Sequence, residues 1–258
     1  MSQFKTDGIV LGGLRLTGAD KLITILTRDR GKIVGAAVGV RRLRSRFGGA
    51  LEPFSYCRIV LFRKRADLLF RIHQADILHS FQSIRENLEQ IELASWMVNL
   101  IKAFTVEEIP NPRLFQHLLN CLEAIEKKNT SGLLSAYFEL HLLKEVGYQP
   151  KLDCCIKCRG PLEKGGCRFL PSAGGVLCGQ CGGGSSEPIL SPGAIALIQH
   201  LLNVDLTVLS RLKPSLRQVH EIQEMLEVYN RYLLEKKVHY LKYNPVNPDG
   251  PVRSFSKA

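Results

Sequence analysis

Alternation of apolar and polar positions with a period near two governs the first seventy residues. β-Branched and apolar runs cover Thr6 to Leu11, Leu22 to Thr27, Lys32 to Val40, Pro53 to Phe62 and Leu68 to Ile72. Turn residues such as Thr17-Gly18-Ala19-Asp20 and Arg28-Asp29-Arg30-Gly31 separate them. Five short strands with no long helix between them predict a closed or nearly closed β-barrel. The commonest small barrel of this kind is the oligonucleotide-binding (OB) fold, and an SH3-like barrel is its structural rival.

From about Ser83 the period changes to 3.6. Ile84, Leu88, Ile91, Ala94, Val98 and Ile101 recur at helical spacing, and Trp96, Met97, Leu100 and Phe104 widen the stripe. Asn111 and Pro112 are placed as cap and first-turn residue of a second helix through Leu114, Phe115, Leu118, Leu122 and Ile125. Thr130 or Ser131 starts a third, ending near Gly147. After residue 188 the Ser191-Pro192 pair opens another helix, and Ser215-Leu216-Arg217-Gln218 is a capping box for the last long one, whose stripe is Val219, Ile222, Leu226, Tyr229 and Leu233. The tail from Tyr243, rich in Pro, Asn and Gly, is expected to be extended or disordered. The predicted class is therefore α+β and multidomain, with a five-stranded OB barrel at 1–80 and an α-helical domain at 81–258.

The two groups of helices are separated by a segment, 150–188, that holds six of the eight cysteines. Cys155 and Cys158 form one C-x-x-C and Cys178 and Cys181 another, with nineteen residues between the pairs. Two thiolates two residues apart can face one ion from a tight turn, and two such turns complete the tetrahedral set of a closed structural zinc site. Gly160 and Gly179 are expected to relax the two turns. A disulfide framework would call for an export signal, which Met1 to Val10 does not resemble, and a thioredoxin-like centre needs a single C-x-x-C beside a βαβ unit. One structural zinc bound by the two symmetric pairs is the expectation, with Cys154 and Cys167 as possible substitutes. Cys57 and Cys121 lie in apolar runs and read as small core residues.

Charge adds direction to this picture. Lys and Arg total 35 against 24 Asp and Glu, a formal net charge of +11, which favours polyanionic partners. The excess is concentrated, since residues 1–80 hold fifteen Lys and Arg against six acids. Arg41, Arg42, Arg44 and Arg46 fall within six residues, followed by Phe47 and the pair Gly48-Gly49. Such a run repels itself, so a mobile loop is expected, and a phosphate backbone is its simplest counter-charge. Arg63, Lys64 and Arg65 at the next turn add cations to the same barrel, and Phe47 is a candidate to stack on a base.

Several function classes lack their motifs. There is no G-x-x-x-x-G-K-[ST] phosphate cradle, no H-E-x-x-H, no H-x-E to accompany P-C-x-x-C and no G-x-S-x-G, so binding rather than catalysis is the default and no ATPase is expected. No apolar run reaches the length of a membrane span, and the free-thiol chemistry suits a cytoplasmic, nucleoid-associated protein. A DNA-binding mediator, an RNA-binding or ribosome-associated zinc protein, and an enzyme with an unrecognised site all remain open at this point.

Four stretches carry a family likeness. Thr6-Asp7-Gly8-Ile9-Val10-Leu11, Gly39-Val40-Arg41-Arg42 through Phe47 into Leu51-Glu52-Pro53-Phe54, Gly147-Tyr148-Gln149-Pro150-Lys151-Leu152-Asp153, and Phe169-Leu170-Pro171-Ser172-Ala173-Gly174-Gly175-Val176-Leu177-Cys178 together resemble the bacterial DNA repair protein RecO family, in order along the chain. The resemblance implies an N-terminal OB fold, a helical C-terminal domain and a zinc module that some members have lost. It also implies recombinational repair: binding of single- and double-stranded DNA, annealing without ATP, and RecA loading together with RecR, RecF and the acidic, apolar-ended tail of single-stranded-DNA-binding protein.

Overall fold

The structure is a computed structural model that describes residues 2–63, 69–128, 132–162, 165–183 and 187–243. Strands β1 (Ser2–Arg15), β2 (Lys21–Thr27), β3 (Gly31–Ala37), β4 (Tyr56–Arg63) and β5 (Phe70–His79) close into a barrel in the order β1-β2-β3-β5-β4. All contacts are antiparallel except the short β3–β5 pairing at Gly35–Phe70 and Ala36–Arg71. This is the strand order of the OB fold, with β1 paired to both β2 and β4. β1 outlasts the apolar run that predicts it because a register shift between Val10 and Gly12, with Gly12 at φ 132°, bends the strand and lets it continue to Arg15. The predicted start of β5, Leu68, and the tail beyond residue 243 lie outside the described residues.

The alternation sorts side chains onto two faces. Val10, Ile23, Ile25, Ile33, Ile59, Leu61 and Ile72 point into the barrel. Ile9, Leu11 and Leu26, their immediate neighbours, lie instead in the core shared with the helices. The continuous apolar runs Ile9-Val10-Leu11 and Ile25-Leu26 thus reflect strands buried on both faces.

The helices follow as α1 (Gln82–Arg85), α2 (Leu88–Phe104), α3 (Pro112–Glu126), α4 (Leu134–Glu145), α5 (Pro192–Leu201) and α6 (Leu216–Tyr243). The first predicted helix is broken in two: Asn87 leaves helical geometry and its side chain accepts from Gln90 N, which starts α2 afresh. Asn111 caps α3 through Leu114 N, Ser191 caps α5 through Ala194 N, and Ser215 and Gln218 exchange hydrogen bonds as a reciprocal box. Thr130 and Ser131 lie outside the described residues; α4 itself begins at Leu134.

Between α4 and α5 stands a small sheet that periodicity did not predict: β6 (Cys167–Leu170) between β7 (Gly175–Leu177) and β8 (Ile189–Leu190). Strands of two to four residues are too short to show an alternation. Gly174, at φ 62°, packs beneath α6 so closely that a Cβ there would stand 2.6 Å from the Tyr229 hydroxyl. Phe169 meets the same tyrosine edge-on.

The connection from α2 to α3 clamps the barrel. Lys32 of β3 donates from Nζ to the carbonyls of Lys102 and Thr105, at 2.8 Å each, where α2 ends. A cation there satisfies orphan carbonyls and opposes the helix dipole. Gly31 is positioned at φ 68°, with the Ile109 carbonyl only 2.0 Å from where a Cβ would be, so no side chain fits.

One buried carboxyl stands apart in the helical core. Glu139 of α4 is 5 % exposed and is hydrogen-bonded by the Asn230 side chain of α6. Burial pushes its carboxyl up to about 7, partly offset by that hydrogen bond. Asn230 Oδ1 is buried with no partner among the described residues. With the amide turned over, a protonated Glu139 can donate to that oxygen, so the neutral acid suits the site. Because the folded pKa is the higher one, this group's stabilising contribution is complete below about 4.5 and is lost as pH rises through about 7. Glu139→Gln should therefore change stability little at pH 5 and raise it at pH 8, by up to about 3 kcal/mol. Urea unfolding of both proteins at the two pH values measures the difference.

Candidate metal centre and nucleic-acid interface

The sulfurs of Cys155, Cys158, Cys178 and Cys181 all lie within 4.8 Å of one another. Each pair sits on a hydrogen-bonded turn. Cys155 N donates to the Gly160 carbonyl and Arg159 N to that of Cys155, while Cys181 N and Gly182 N both donate to the Cys178 carbonyl. The left-handed residue of the first turn is Arg159, at φ 62°, and not the adjacent glycine. Gly160 serves by its size: a Cβ there would stand 3.3 Å from Cys158 Sγ.

The electrostatics of the thiols fit a cation site. Burial raises the Cys155 thiol, but backbone N–H groups of Cys158, Cys178 and Lys157 outweigh it and push it down to about 6. Cys181 is pushed up to about 12, first by its hydrogen bond with the Cys178 sulfur. Four sulfurs this close cannot all be anionic by themselves, and a dication at their centre removes the conflict. The set can hold a metal ion with four thiolates and no position left for water.

The other cysteines are elsewhere. Cys167 is buried in β6 with its Cα paired to Leu190, and neither it nor Cys154 belongs to the four-sulfur set. Cys57 donates to the Ala50 carbonyl at 2.9 Å, with burial pushing its thiol up to about 12, and Cys121 is buried in α3. His117 is neutral in the same way: burial, then the neighbouring His141, hold it down at about 4 while its Nε2 donates to the Phe138 carbonyl.

The basic loop between β3 and β4, which charge repulsion predicts to be mobile, is built of successive hydrogen-bonded turns. Arg42 N donates to Gly39 O, Ser45 N to Arg42 O, Gly48 N to Ser45 O and Ala50 N to Phe47 O. Phe47, Ala50 and Leu51 point inward and join the barrel core. Their burial supplies the anchorage that opposes the repulsion. Phe47 is 3 % exposed, which corrects the expectation that it stacks on a base: its ring joins the barrel core, with the Arg46 guanidinium 4.9 Å from its centroid.

Arg41, Arg42, Arg44 and Arg46 are all exposed, and none forms an ion pair among the described residues. Arg63 differs. It forks onto Glu108 at 2.5 and 2.8 Å and lies 4.2 Å over the Phe70 ring, so its charge is shared within the fold. Glu108 is 45 positions away, beyond the reach of any local pattern. Lys64 and Arg65 lie outside the described residues. Lys32, which clamps the helices, carried no motif that sequence reading could have found.

These features define a class: an OB barrel bearing a cationic loop, fused to a helical domain with a four-cysteine knuckle between α4 and α5. Comparison with known proteins narrows it. Residues 1–81 match the family model described as "Recombination protein O N terminal" and residues 85–242 the one described as "Recombination protein O C terminal". The chain is 33 % identical over 242 residues to the "DNA repair protein RecO" of Syntrophus aciditrophicus, covering 92 % of this chain and 93 % of that one. It is 34 % identical to the RecO of Pelotomaculum thermopropionicum, covering 92 % and 91 %, and 40 % identical to that of Rubrobacter xylanophilus, covering 70 % and 72 %. The chain belongs to the RecO family.

Replacing Cys178 by Ser opens the sulfur set and should reduce bound metal from near stoichiometric to near none, whereas Cys154→Ser and Cys167→Ser should retain it. Mass-spectrometric metal analysis of the three purified variants checks this; loss in the Cys167 variant with retention in the Cys178 one would reassign the ligands.

Proposed function

We propose that this protein is a DNA repair mediator that binds single- and double-stranded DNA and anneals complementary strands without ATP. One observation carries the reading. Four exposed guanidiniums with no acidic partner among the described residues are mounted, on a hydrogen-bonded loop, at the surface of an OB barrel. Each can fork onto phosphate oxygens and release condensed counterions, and none is already neutralised by a neighbour. Strands that repel each other can approach when one cationic surface screens both. Membership of the RecO family supports the assignment to recombinational repair.

In this reading residues 1–80 are the nucleic-acid-binding unit and 81–258 the helical unit that carries the metal module, and the protein works with protein partners. Those partners are RecR and RecF, with which the protein helps to load RecA, and the acidic tail of single-stranded-DNA-binding protein. The setting is the cytoplasm, at the nucleoid. No helix among the described residues is long and apolar enough to cross a membrane.

The metal is proposed to be one zinc in a structural role. Four sulfurs around zinc at about 2.3 Å stand about 3.8 Å apart. That is the separation of the Cys158 and Cys178 sulfurs, 3.8 Å. When bound, the ion neutralises the thiolates and ties together the two turns that flank β6 and β7, and its service ends there.

Changing Arg41, Arg42, Arg44 and Arg46 together to Ala should flatten the log–log salt dependence of single-strand binding by up to roughly three units, at about 0.7 per phosphate contact. Affinity and annealing rate should fall with it, with little dependence on sequence. Metal content and fold should be unchanged, because the side chains are exposed. Titrations with single-stranded DNA, duplex DNA and structured RNA side by side measure this. An unaltered slope moves the DNA path off the loop, and tighter binding to RNA than to DNA changes the substrate.

A further inference from the structure

The same end of the barrel carries apolar side chains that the fold does not use. Leu43, between Arg42 and Arg44, is 104 % exposed. Leu14, 70 % exposed, precedes Arg15 at the end of β1, and Leu16 and Val38 are 40 % and 52 % exposed. The β1–β2 turn and the basic loop are tied together: Arg41 N donates to Ala19 O at 2.9 Å, Gly39 N to Asp20 Oδ1 at 2.8 Å and Arg41 Nη1 to Gly18 O at 3.1 Å. The loop's other end is pinned by Phe47 in the barrel. Leu43 is thus held out into solvent by turns fixed on both sides of it, and is not free to fold back onto the core.

Single exposed leucines are ordinary on protein surfaces. This one differs in its flanks. Along the chain apolar and cationic residues alternate as Leu14-Arg15-Leu16 and as Arg42-Leu43-Arg44, and in the loop the exposed Arg42 and Arg44 flank the exposed Leu43. A single nucleic-acid strand offers the complementary alternation, with an anionic phosphate on one edge and an apolar base face on the other. A membrane surface would call for a contiguous apolar face with the cations along its margin. With the Phe47 ring buried, the side chain that this loop does offer to a base is Leu43.

We propose that Leu43 is a wedge that inserts between adjacent bases of a bound single strand, unstacking them while the flanking arginines hold the phosphates, with Leu14 as a second apolar contact. The inference rests on the DNA-binding reading of the loop. Apolar wedges of this size part base steps in other nucleic-acid complexes at the expense of stacking energy. In annealing, a strand held with a base step open presents free Watson–Crick edges to its complement, and the leucine withdraws as the duplex stack closes.

The test uses the full-length, metal-loaded protein and an oligonucleotide with 2-aminopurine at its centre, which brightens when unstacked. Wild-type protein should brighten it on binding. Leu43→Ala should lose most of the brightening and anneal several-fold more slowly, while affinity falls by less than about tenfold, or about 1.4 kcal/mol, and the salt slope stays unchanged. Leu43→Phe should restore the brightening, which a merely structural residue would not require. Equal brightening by wild type and Leu43→Ala overturns the wedge, as does its absence in wild type. If Leu43→Ala instead loses binding to phosphatidylserine-containing vesicles and leaves 2-aminopurine unaffected, the side chain faces a membrane and the wedge is likewise excluded. Failure of the quadruple arginine variant to weaken binding is a separate result: it moves the strand off the loop, whatever Leu43 does.

Discussion

One wall of the barrel must be dry on both of its faces, and the rest of the molecule is arranged around that requirement. Ile9, Leu11 and Leu26 cannot turn away from water by entering the barrel, because Val10, Ile23 and Ile25 already occupy it. They are covered by the helices, with Phe54 in the same cluster and Tyr56 meeting Phe115 of α3 edge-on. Truncating any one of these aliphatic residues would open a cavity costing about 2–5 kcal/mol. The two ends of the chain's architecture are thus coupled by ordinary hydrophobic burial, with Lys32 at the end of α2 supplying direction.

The same requirement separates surfaces by task. Helices cover the outer wall at Ile9, Leu11 and Leu26, so the barrel has that face committed to the fold. Its basic loop stays open to solvent. Arg63 lies on the committed side of this division, drawn to Glu108 on the α2–α3 connection, while Arg41, Arg42 and Arg44 face outward with no carboxylate among the described residues to compensate them. The formal charge of a segment is therefore a poor guide to its available charge, which depends on acids brought in from remote parts of the chain.

That distinction marks what could be read from the sequence. The barrel strands were legible because burial on one or both faces forces a period of two or an unbroken apolar run, and the starts of α3, α5 and α6 were legible because Asn111, Ser191 and the Ser215–Gln218 box are local devices. The four cysteines were legible because two tight turns fix their spacing, and the structure brings their sulfurs together. Phe47 was misread because an aromatic beside arginines and glycines has the same local signature whether it turns inward or outward, and only the closed barrel decides. The break at Asn87, the sheet of β6, β7 and β8 and the role of Lys32 depend on tertiary partners or on strands too short to have a period.

Phe47, Ala50 and Leu51 make the basic loop a stopper as well as a surface. The residues that seal the barrel and those that display its cations belong to one short stretch, joined by the turns from Gly39 to Ala50. Its length is consequently not free to drift. An inserted or deleted residue between Gly39 and Phe47 would either pull the plug from the barrel or shift every guanidinium relative to the β1–β2 turn. Variation is expected to take the form of substitution at outward positions and not of insertion, so the tolerance to indels usual for a surface loop is replaced here by the constraint usual for a core.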